Sequence, residues 1–252
     1  MRKPDIIAFC NQKGGVGKTT CALNTAAGLT LLGKKVFLVD FDPQAHLTYS
    51  LGIDAHDLKN TIYSVMKGTT TLQDAVVEHN GMKLLSANLD LALLETELAA
   101  VAKRENILKS KLSAVSGVDY IIIDCPPSSG FLTVSALICS HEVYIPLQME
   151  FLALKGMSRL LSLISEVKKS FNKELPPYKI IATRFDSRKR LNNAIMDKVR
   201  ERFDHQVFET VIRENIAVAE APSFGKSIFE YAPKSHGAED YLKLCEEIVR
   251  RK

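Results

Sequence analysis

The 252-residue chain contains no tryptophan, and its five cysteines include no C-x-x-C pair. The odd number and the wide spacing of the cysteines argue against a secreted disulfide framework and against a ribbon-type zinc site. Long hydrophobic runs are absent as well. The first apolar segment, Ile6–Cys10, is too short for the core of a signal peptide and far too short for a membrane span. We therefore expect a cytoplasmic protein that folds on its own hydrophobic core.

A large excess of one charge is also missing. The 33 Lys and Arg residues and 29 Asp and Glu residues leave a net charge of only +4, which excludes a whole-surface polycation but permits a local basic patch. The hydrophobic fraction of 46% is typical of a globular protein and argues against disorder. No internal repeat and no segment rich in Ser, Gly or Pro is visible, so we expect residues 1–252 to form a single domain.

Short apolar runs mark the expected strands. Runs, as opposed to apolar–polar alternation, are typical of strands buried on both faces of a parallel sheet. Helical periodicity fills the intervals between them. The expected strands are Ile6–Cys10, Val36–Phe41, Met82–Leu85, Tyr120–Cys125, Glu142–Leu147 and Lys179–Arg184, and the expected helices are Lys18–Leu32, Leu91–Ala102, Asn106–Leu112, Phe151–Lys169, Leu191–Phe203 and Ala238–Arg250.

This alternation of strands and helices predicts βαβ units with right-handed crossovers. The expected fold class is therefore α/β, with an open, doubly wound, mostly parallel sheet that carries helices on both faces. Ligands bind such sheets at the carboxyl ends of the strands. The residues that suggest chemistry in this chain fall at those ends.

A glycine-rich loop follows the first expected strand and opens the first expected helix. Its end, Gly17-Lys18-Thr19, matches the phosphate-loop pattern G-x-x-x-x-G-K-[ST], while Gln12 stands in place of the first glycine. Glycines let backbone N–H groups curl around phosphate oxygens, and the helix N-terminus adds a positive dipole end. We expect Lys18 to reach the phosphates and the Thr19 hydroxyl to bind Mg²⁺. The predicted nucleotide-binding residues of the loop are Lys13, Gly14, Gly15, Val16, Gly17, Lys18, Thr19 and Thr20.

Lys13 is a second lysine inside this loop, where an ordinary phosphate loop has no special need for charge. A lysine at this point cannot easily fold back onto the nucleotide that Lys18 contacts. It could reach a nucleotide in a facing subunit, and the alternative is a solvated loop lysine.

Aspartates end two of the expected strands. Asp40 and Asp42 are two residues apart, so they can share a face and point toward the same nucleotide edge. One could lie near the metal and the other could orient the attacking water, or the pair could cap the turn before Pro43. Asp124 ends a run of apolar residues, as does the aspartate that holds Mg²⁺ in nucleotide triphosphatases. Cys125 has no Cys or His partner at ligand spacing and is expected to be a small buried residue.

Four segments together resemble the ParA/Soj partition ATPases, which are P-loop NTPases of the deviant Walker A type. They are KGGVGKTT at 13–20, DFDPQ at 40–44, IIIDCPP at 121–127 and EAPSFGKSIFEY at 220–231. The resemblance runs from about Ile6 to Val249. It implies an ATPase with ATP and Mg²⁺ as cofactors, in which ATP closes a sandwich homodimer with two nucleotides at the interface.

The resemblance also implies roles for individual residues. Lys13 corresponds to the signature lysine that contacts the partner's phosphates, and Asp42 corresponds to the carboxylate associated with hydrolysis. The implied catalytic residues are Lys13, Lys18, Asp40 and Asp42, the metal residues are Thr19, Asp40 and Asp124, and the residues bordering adenine are Thr183, Arg184, Arg213 and Asn215.

The partners implied by the resemblance are nonspecific DNA and a ParB-like adaptor that stimulates hydrolysis, with the ATP-bound protein on the nucleoid. In the family pattern the second of two arginines is linked to nonspecific DNA binding, and it is Ala217 here, while the first arginine is Glu214. A basic cluster elsewhere could neutralise DNA phosphates without reading bases, or it could be an ordinary solvated surface. The candidate DNA-binding residues are Arg188, Lys189, Arg190 and Arg213.

Two other functions of the same superfamily remain as alternatives. A membrane-positioning ATPase like MinD needs an amphipathic tail beyond the last helix, and none is visible, so we expect no membrane partner. A redox ATPase like the nitrogenase iron protein needs cysteines that share a cluster across the dimer, and Cys125 has no suitable companion. The sequence does not select between a chromosome, a plasmid and a protein body as the cargo.

Overall fold

The computed structural model describes residues 3–150 and 153–251. Seven strands in these ranges form one sheet. They are β1 (Asp5–Phe9), β2 (Val36–Asp40), β3 (Val76–His79), β4 (Met82–Leu85), β5 (Tyr120–Asp124), β6 (Glu142–Gln148) and β7 (Lys179–Thr183). Their order is β3-β4-β2-β5-β1-β6-β7, and every pairing is parallel except that of β3 with β4. The predicted doubly wound, mostly parallel sheet is thus confirmed.

Helices cover both faces of this sheet. They are α1 (Lys18–Leu31), α2 (His46–Ser50), α3 (Ile62–Lys67), α4 (Leu72–Ala75), α5 (Leu94–Glu97), α6 (Ile107–Leu112), α7 (Phe131–Cys139), α8 (Ala153–Ser170), α9 (Arg190–Phe203), α10 (Ile216–Glu220), α11 (Ile228–Tyr231) and α12 (His236–Arg250). The chain winds from β1 to one side of the sheet, returns to β5, and then continues through β6 and β7 on the other side. The direction of winding therefore reverses around β1, which is where ligands bind in folds of this type.

Alternate residues of each central strand enter two separate hydrophobic cores. Along β5, Ile121 and Ile123 lie in one core and Ile122 lies in the other, all of them fully buried. Both faces of the strand are apolar, and for this reason the sequence shows runs and not alternation. The apolar face of α12 packs into the second core through Tyr241 and Leu244, so this face is covered. Within the described ranges, no helix combines the length and the hydrophobicity needed to span a bilayer.

Differences from the sequence-based expectation concern element boundaries and the smaller elements. The edge strand β3 was not expected, and its residues are only partly buried, which leaves no apolar run. The expected helix Leu91–Ala102 was wrong in its extent: a 3₁₀ turn over Leu89–Leu93 passes into the short α5. The expected helix Phe151–Lys169 corresponds to α8, and residues 151 and 152 lie outside the described ranges.

Candidate nucleotide-binding site

The loop between β1 and α1 is attached to the ends of two neighbouring strands. The buried side chain of Asn11 donates to the carbonyl of Pro146 on β6 (2.7 Å) and accepts from the backbone N–H of Lys13 (3.0 Å). The hydroxyl of Thr183, at the end of β7, donates to the carbonyl of Val16 (2.9 Å). These bonds hold the loop at the carboxyl edge of the sheet. Sequence reasoning missed Asn11, whose position two residues before the bonded N–H is a known turn signal.

Two glycines of the loop adopt the left-handed conformation that other residues avoid. Gly15 has φ +74° and Gly17 has φ +91°, and a Cβ added at either position would meet no atom within 4 Å. The requirement for glycine here is therefore conformational, and the space beside the loop is open. Gly17 also precedes α1, and no side chain of residues 3–150 or 153–251 caps the first N–H groups of this helix. These N–H groups are available to an anion.

A cavity of about 440 Å³ opens beside the loop. This volume lies within the usual range for small-ligand sites. The loop and the residues predicted to border adenine share the cavity. Its lining includes Gly15, Val16, Gly17 and Thr20 from the loop and first helix, Thr183, Arg184, Arg213 and Asn215 from the predicted adenine border, and Ile212, Ile216, Val218 and Tyr241.

Asp124 is a buried carboxylate whose two oxygens have no hydrogen-bond partner among the described residues. Burial, followed by the charge of nearby Asp40, raises the pKa of Asp124 well above its ordinary value. The neighbouring Thr19 hydroxyl and Lys18 ammonium lower this pKa, although neither forms a bond of normal geometry to the carboxylate. A buried polar group without a partner is costly and marks a place for a missing ligand.

The donor set around Asp124 fits a hard divalent cation. Carboxylate and hydroxyl oxygens suit Mg²⁺, which proteins often bind through one or two carboxylates plus the phosphates of a substrate. Among the residues that the structure describes, no group of three or more His, Cys, Asp or Glu side chains could hold a metal by itself. A cation at Asp124 and Thr19 would thus depend on oxygens from a bound phosphate.

Asp40 lies opposite Asp124 on the neighbouring strand, and it is also fully buried. Its Oδ2 accepts from the backbone N–H and from the hydroxyl of Thr48 (2.8 Å each), and its Oδ1 accepts from the N–H of Asp42 (3.2 Å). Burial raises the pKa of Asp40 to about 7, and the bonds from Thr48 and Asp42 limit the rise. Unlike Asp124, Asp40 has its acceptors engaged by its own loop.

Asp42 lies in the tight turn between β2 and α2. Its Oδ1 accepts from the N–H of Gln44 (3.0 Å), and its carbonyl accepts from the N–H of Ala45 (2.9 Å). The carboxylate is buried, and its negative charge contributes to the raised pKa of Asp124. The structure thus brings Asp40, Asp42 and Asp124 together at one edge of the sheet.

The two lysines of the loop lie in different surroundings. Lys18 is buried close to Asp124, whereas Lys13 is exposed and forms an ion pair with Glu150 (2.7 Å), which follows β6. The sequence offered no sign of this partner because the two residues are 137 positions apart.

The candidate DNA-binding residues are engaged with carboxylates to different degrees. Arg188 pairs with Asp186, and Lys189 pairs with Glu214 (2.7 Å). Arg213 binds the buried Asp240 through two nitrogens, Nε at 2.9 Å and Nη2 at 2.6 Å. This geometry ties the segment after β7 to α12. Arg190 is exposed at the start of α9, and its guanidinium has no carboxylate partner within the described ranges.

Cys125 is fully buried, as expected for a small core residue. A hydrogen bond with Cys10, together with burial, raises the pKa of the Cys125 thiol well above its ordinary value. The thiol is therefore held in its neutral form, which is a poor nucleophile and a poor metal ligand.

Comparisons with known proteins agree with this geometry. Residues 4–176 match the family model described as AAA domain. The chain is 42% identical to the sporulation initiation inhibitor protein Soj of Bacillus subtilis, over 97% of this chain and 98% of Soj. It is 39% identical to the chromosome partitioning protein ParA of Caulobacter vibrioides, over 98% and 94% of the two chains. A solved structure named cobyrinic acid a,c-diamide synthase, from Mycobacterium smegmatis with bound ATP analog and magnesium, is similar with a TM-score of 0.87, 36% identity, and coverage of 98% and 95%.

Proposed function

Because the chain belongs to the ParA/Soj family of P-loop ATPases, we propose that it hydrolyses Mg-ATP and uses ATP-driven dimerisation and nonspecific DNA binding to partition or position a cargo. The observation that carries the proposal is the buried Asp124 next to the glycine-rich start of α1. Among the residues that the structure describes, its oxygens have no hydrogen-bond partner and no side chain caps that helix. The M. smegmatis relative supports it, since its structures contain ADP or an ATP analog together with magnesium.

Each residue of the site has a part in this proposal. Bound Mg-ATP supplies the phosphoryl group and a cation that neutralises the charge developing during hydrolysis. The loop N–H groups and Lys18 bind the phosphates, while Thr19 and Asp124 hold the cation. Asp42 orients the attacking water at the same edge of the sheet, and Asp40 lies beside the metal.

Lys13 provides the link to dimerisation. Its ion pair with Glu150 is exposed on both sides, and such pairs are worth only ~0–1 kcal/mol. The lysine can therefore leave Glu150 at little cost and contact the phosphates of a nucleotide in a facing subunit. ATP would thus bridge two subunits, and hydrolysis would release them.

The dimerisation step is tested by sedimentation velocity and phosphate release with Mg-ATP. We expect Asp42→Ala to accumulate as an ATP-bound dimer with little hydrolysis. Lys13→Ala should lose dimerisation and hydrolysis while its monomer still binds ATP. Glu150→Gln is the matched control, because it removes the same ion pair but keeps Lys13. Equal loss of binding, dimerisation and hydrolysis in Lys13→Ala would contradict a role for Lys13 across the interface.

DNA binding is proposed to involve Arg190, the first residue of α9, together with Arg188 and Lys189 on the loop before it. We expect Arg190→Glu to weaken ATP-dependent retention of nonspecific duplex DNA several-fold at low salt, without changing ATP affinity. Lys173→Glu makes the same charge change at another exposed position and serves as the control. Equal effects of the two variants would show that only net charge matters and would remove the assignment to this segment.

A ParB-like adaptor is proposed to stimulate the slow basal hydrolysis. Co-purification with the ATP-trapped Asp42→Ala protein tests this partner, and the captured protein should accelerate phosphate release by the unmodified chain. Anionic vesicles replace DNA in a parallel sedimentation assay, since ATP-dependent binding to vesicles alone would favour a membrane-positioning ATPase. Amidation of cobyrinic acid by the purified protein would instead favour the activity named for the M. smegmatis relative.

A further inference from the structure

Thr48 joins three segments of the chain at a fully buried position on α2. Its backbone N–H and its hydroxyl both donate to Oδ2 of Asp40 at the end of β2 (2.8 Å each). The same hydroxyl accepts from the N–H of Ala87, which follows β4 (3.3 Å). The Thr48 hydroxyl thus uses both its donor and an acceptor within the protein.

These bonds determine where the turn that carries Asp42 is held. The turn begins after Asp40, whose Oδ1 accepts from the N–H of Asp42 (3.2 Å). It ends at α2, where the N–H of Thr48 donates to Oδ2 of the same Asp40 carboxylate. Both ends of the turn are therefore fastened to one carboxylate. The residue before α2, Ala45, has a left-handed backbone (φ 52°) and no side chain that could cap the helix. The Asp40 carboxylate at the end of the preceding strand β2 caps the helix instead, by accepting the N–H of Thr48.

We propose that Thr48 is a positioning residue for ATP hydrolysis, which holds the turn so that Asp42 faces the phosphates and the cation at Asp124. This inference rests on the proposed hydrolysis of Mg-ATP. Thr48 acts through Asp40 and the backbone of the turn, because its own hydroxyl is buried and already bonded. Loss of the hydroxyl would leave the nucleotide pocket and the backbone N–H bond to Oδ2 in place. It would remove one of the two bonds that Thr48 makes to this oxygen and the bond from Ala87, and so loosen the turn that carries Asp42.

Three variants separate positioning from simple core packing. Thr48→Val keeps the shape of the side chain but removes the hydroxyl, and Thr48→Ser keeps the hydroxyl but removes a methyl group. Thr25→Val is the matched control on α1, since Thr25 is equally buried but its hydroxyl has no hydrogen-bond partner within the described ranges. Removing that hydroxyl should not harm the fold.

For Thr48→Val we expect kcat to fall between about 10-fold and 100-fold, because small displacements of catalytic groups have effects of this size. KM and Kd for Mg-ATP should stay within about threefold, because the loop and Lys18 are untouched. Thr48→Ser and Thr25→Val should keep kcat within about threefold of the unmodified protein.

Amide hydrogen exchange of the nucleotide-free protein gives a second readout. Peptides covering residues 41–51 should exchange faster in Thr48→Val than in Thr25→Val, while the core strands β1 and β5 stay protected. If Thr48→Val does not fold, Thr48→Ala measured below its unfolding transition is expected to show the same pattern.

Three outcomes overturn the inference: a Thr48→Val protein with kcat close to normal, a Thr48→Ser protein as slow as Thr48→Val, or a fall in kcat with unchanged exchange over residues 41–51. Failure of the proposed function has a different signature, namely that the unmodified protein itself releases no phosphate from Mg-ATP.

Discussion

Asp40 and Asp124 stand opposite each other on β2 and β5 and are both fully buried, yet their surroundings differ completely. The segment after β2 turns back and directs the N–H groups of Asp42 and Thr48 at the Asp40 carboxylate. The segment after β5 donates no hydrogen bond to Asp124, and neither oxygen of this carboxylate has a partner elsewhere in the part of the chain that the structure describes. The first carboxylate organises a loop, and the second is free for a ligand.

The difference has a simple origin in the residues that follow each strand. Two residues after Asp124 the chain reads Pro126-Pro127, and proline has no N–H to donate. The segment after Asp40 contains a single proline, Pro43. The backbone N–H groups of Asp42 and Thr48 in this segment remain available to the Asp40 carboxylate. An aspartate at a strand end is therefore catalytic, structural or both depending on the donors that the next segment supplies.

The largest effect is expected for Asp124→Asn. Loss of the charge should reduce Mg-dependent ATP hydrolysis at least about 100-fold, because the cation loses its anionic ligand. The stability of the nucleotide-free protein should be unchanged or higher, because burial and nearby Asp40 disfavour the charged form of Asp124 and asparagine cannot ionise. Phosphate release and urea unfolding measure the two quantities. A variant that keeps the full rise in melting temperature on addition of Mg-ATP would show that Asp124 is not the cation ligand.

Asp40→Asn should destabilise the nucleotide-free protein, in contrast to Asp124→Asn. Its carbonyl oxygen can keep the two bonds from Thr48, but its NH₂ group would then face the N–H of Asp42 to which Oδ1 was bonded, so we expect a loss of about 2 kcal/mol in the free energy of unfolding. Urea unfolding without nucleotide compares this variant with Asp124→Asn. The contrast between the two aspartates breaks down if the two variants are equally stable.

Glu247 on α12 extends the comparison to a third buried carboxylate. Its oxygens accept from the N–H groups of Glu209 and Thr210 (3.0 Å each), and it pairs with Arg251. Burial raises the pKa of Glu247, but these hydrogen bonds outweigh it and bring the pKa below its ordinary 4.5. Glu247 resembles Asp40 in having both oxygens engaged by N–H donors, and it should therefore be structural as well. We expect Glu247→Gln to lose about 1–2 kcal/mol of stability at pH 7.

The pH dependence of the stability lost in Glu247→Gln follows from the lowered pKa of Glu247. A depressed carboxylate pKa adds stability that is complete above the unfolded-state value and disappears as the pH falls through the folded-state value. The difference between Glu247→Gln and the unmodified protein should therefore be constant above about pH 5.5 and shrink below about pH 4.5. Urea unfolding at several pH values measures it, and a difference that grows with acidity would contradict the assignment.

The smallest effect is expected for Glu150→Gln, which removes an exposed carboxylate paired with Lys13. Its free energy of unfolding should stay within about 0.5 kcal/mol of the unmodified protein, because water replaces the lost partner. Thermal and urea unfolding check this value. A larger loss would mean that Glu150 is a structural group like Asp40.

Much of the fold and of the phosphate loop could be predicted because both depend on local signals. An apolar run, a helical period and a Gly-rich loop are each formed by residues that are close together in the sequence. The partners of the site residues could not be predicted in this way. Lys13 meets Glu150 across 137 positions, and Arg213 meets Asp240 across 27. The extent of the helix expected over Leu91–Ala102 was also beyond local signals, because Leu91, Leu94 and Leu98 are buried as the periodicity requires while the backbone changes type between them.

The sequence by itself determined the α/β alternation, the glycine positions of the loop and the acidic ends of β2 and β5. These follow from backbone stereochemistry and from the period of apolar residues, which act over short stretches of chain. Only the tertiary structure decided that both oxygens of Asp40 accept hydrogen bonds, whereas those of Asp124 accept none from the described residues. Hydrogen-bond satisfaction depends on which donors folding brings within 3 Å of a buried oxygen, and for Asp40 the decisive donor, Thr48, comes from the next helix.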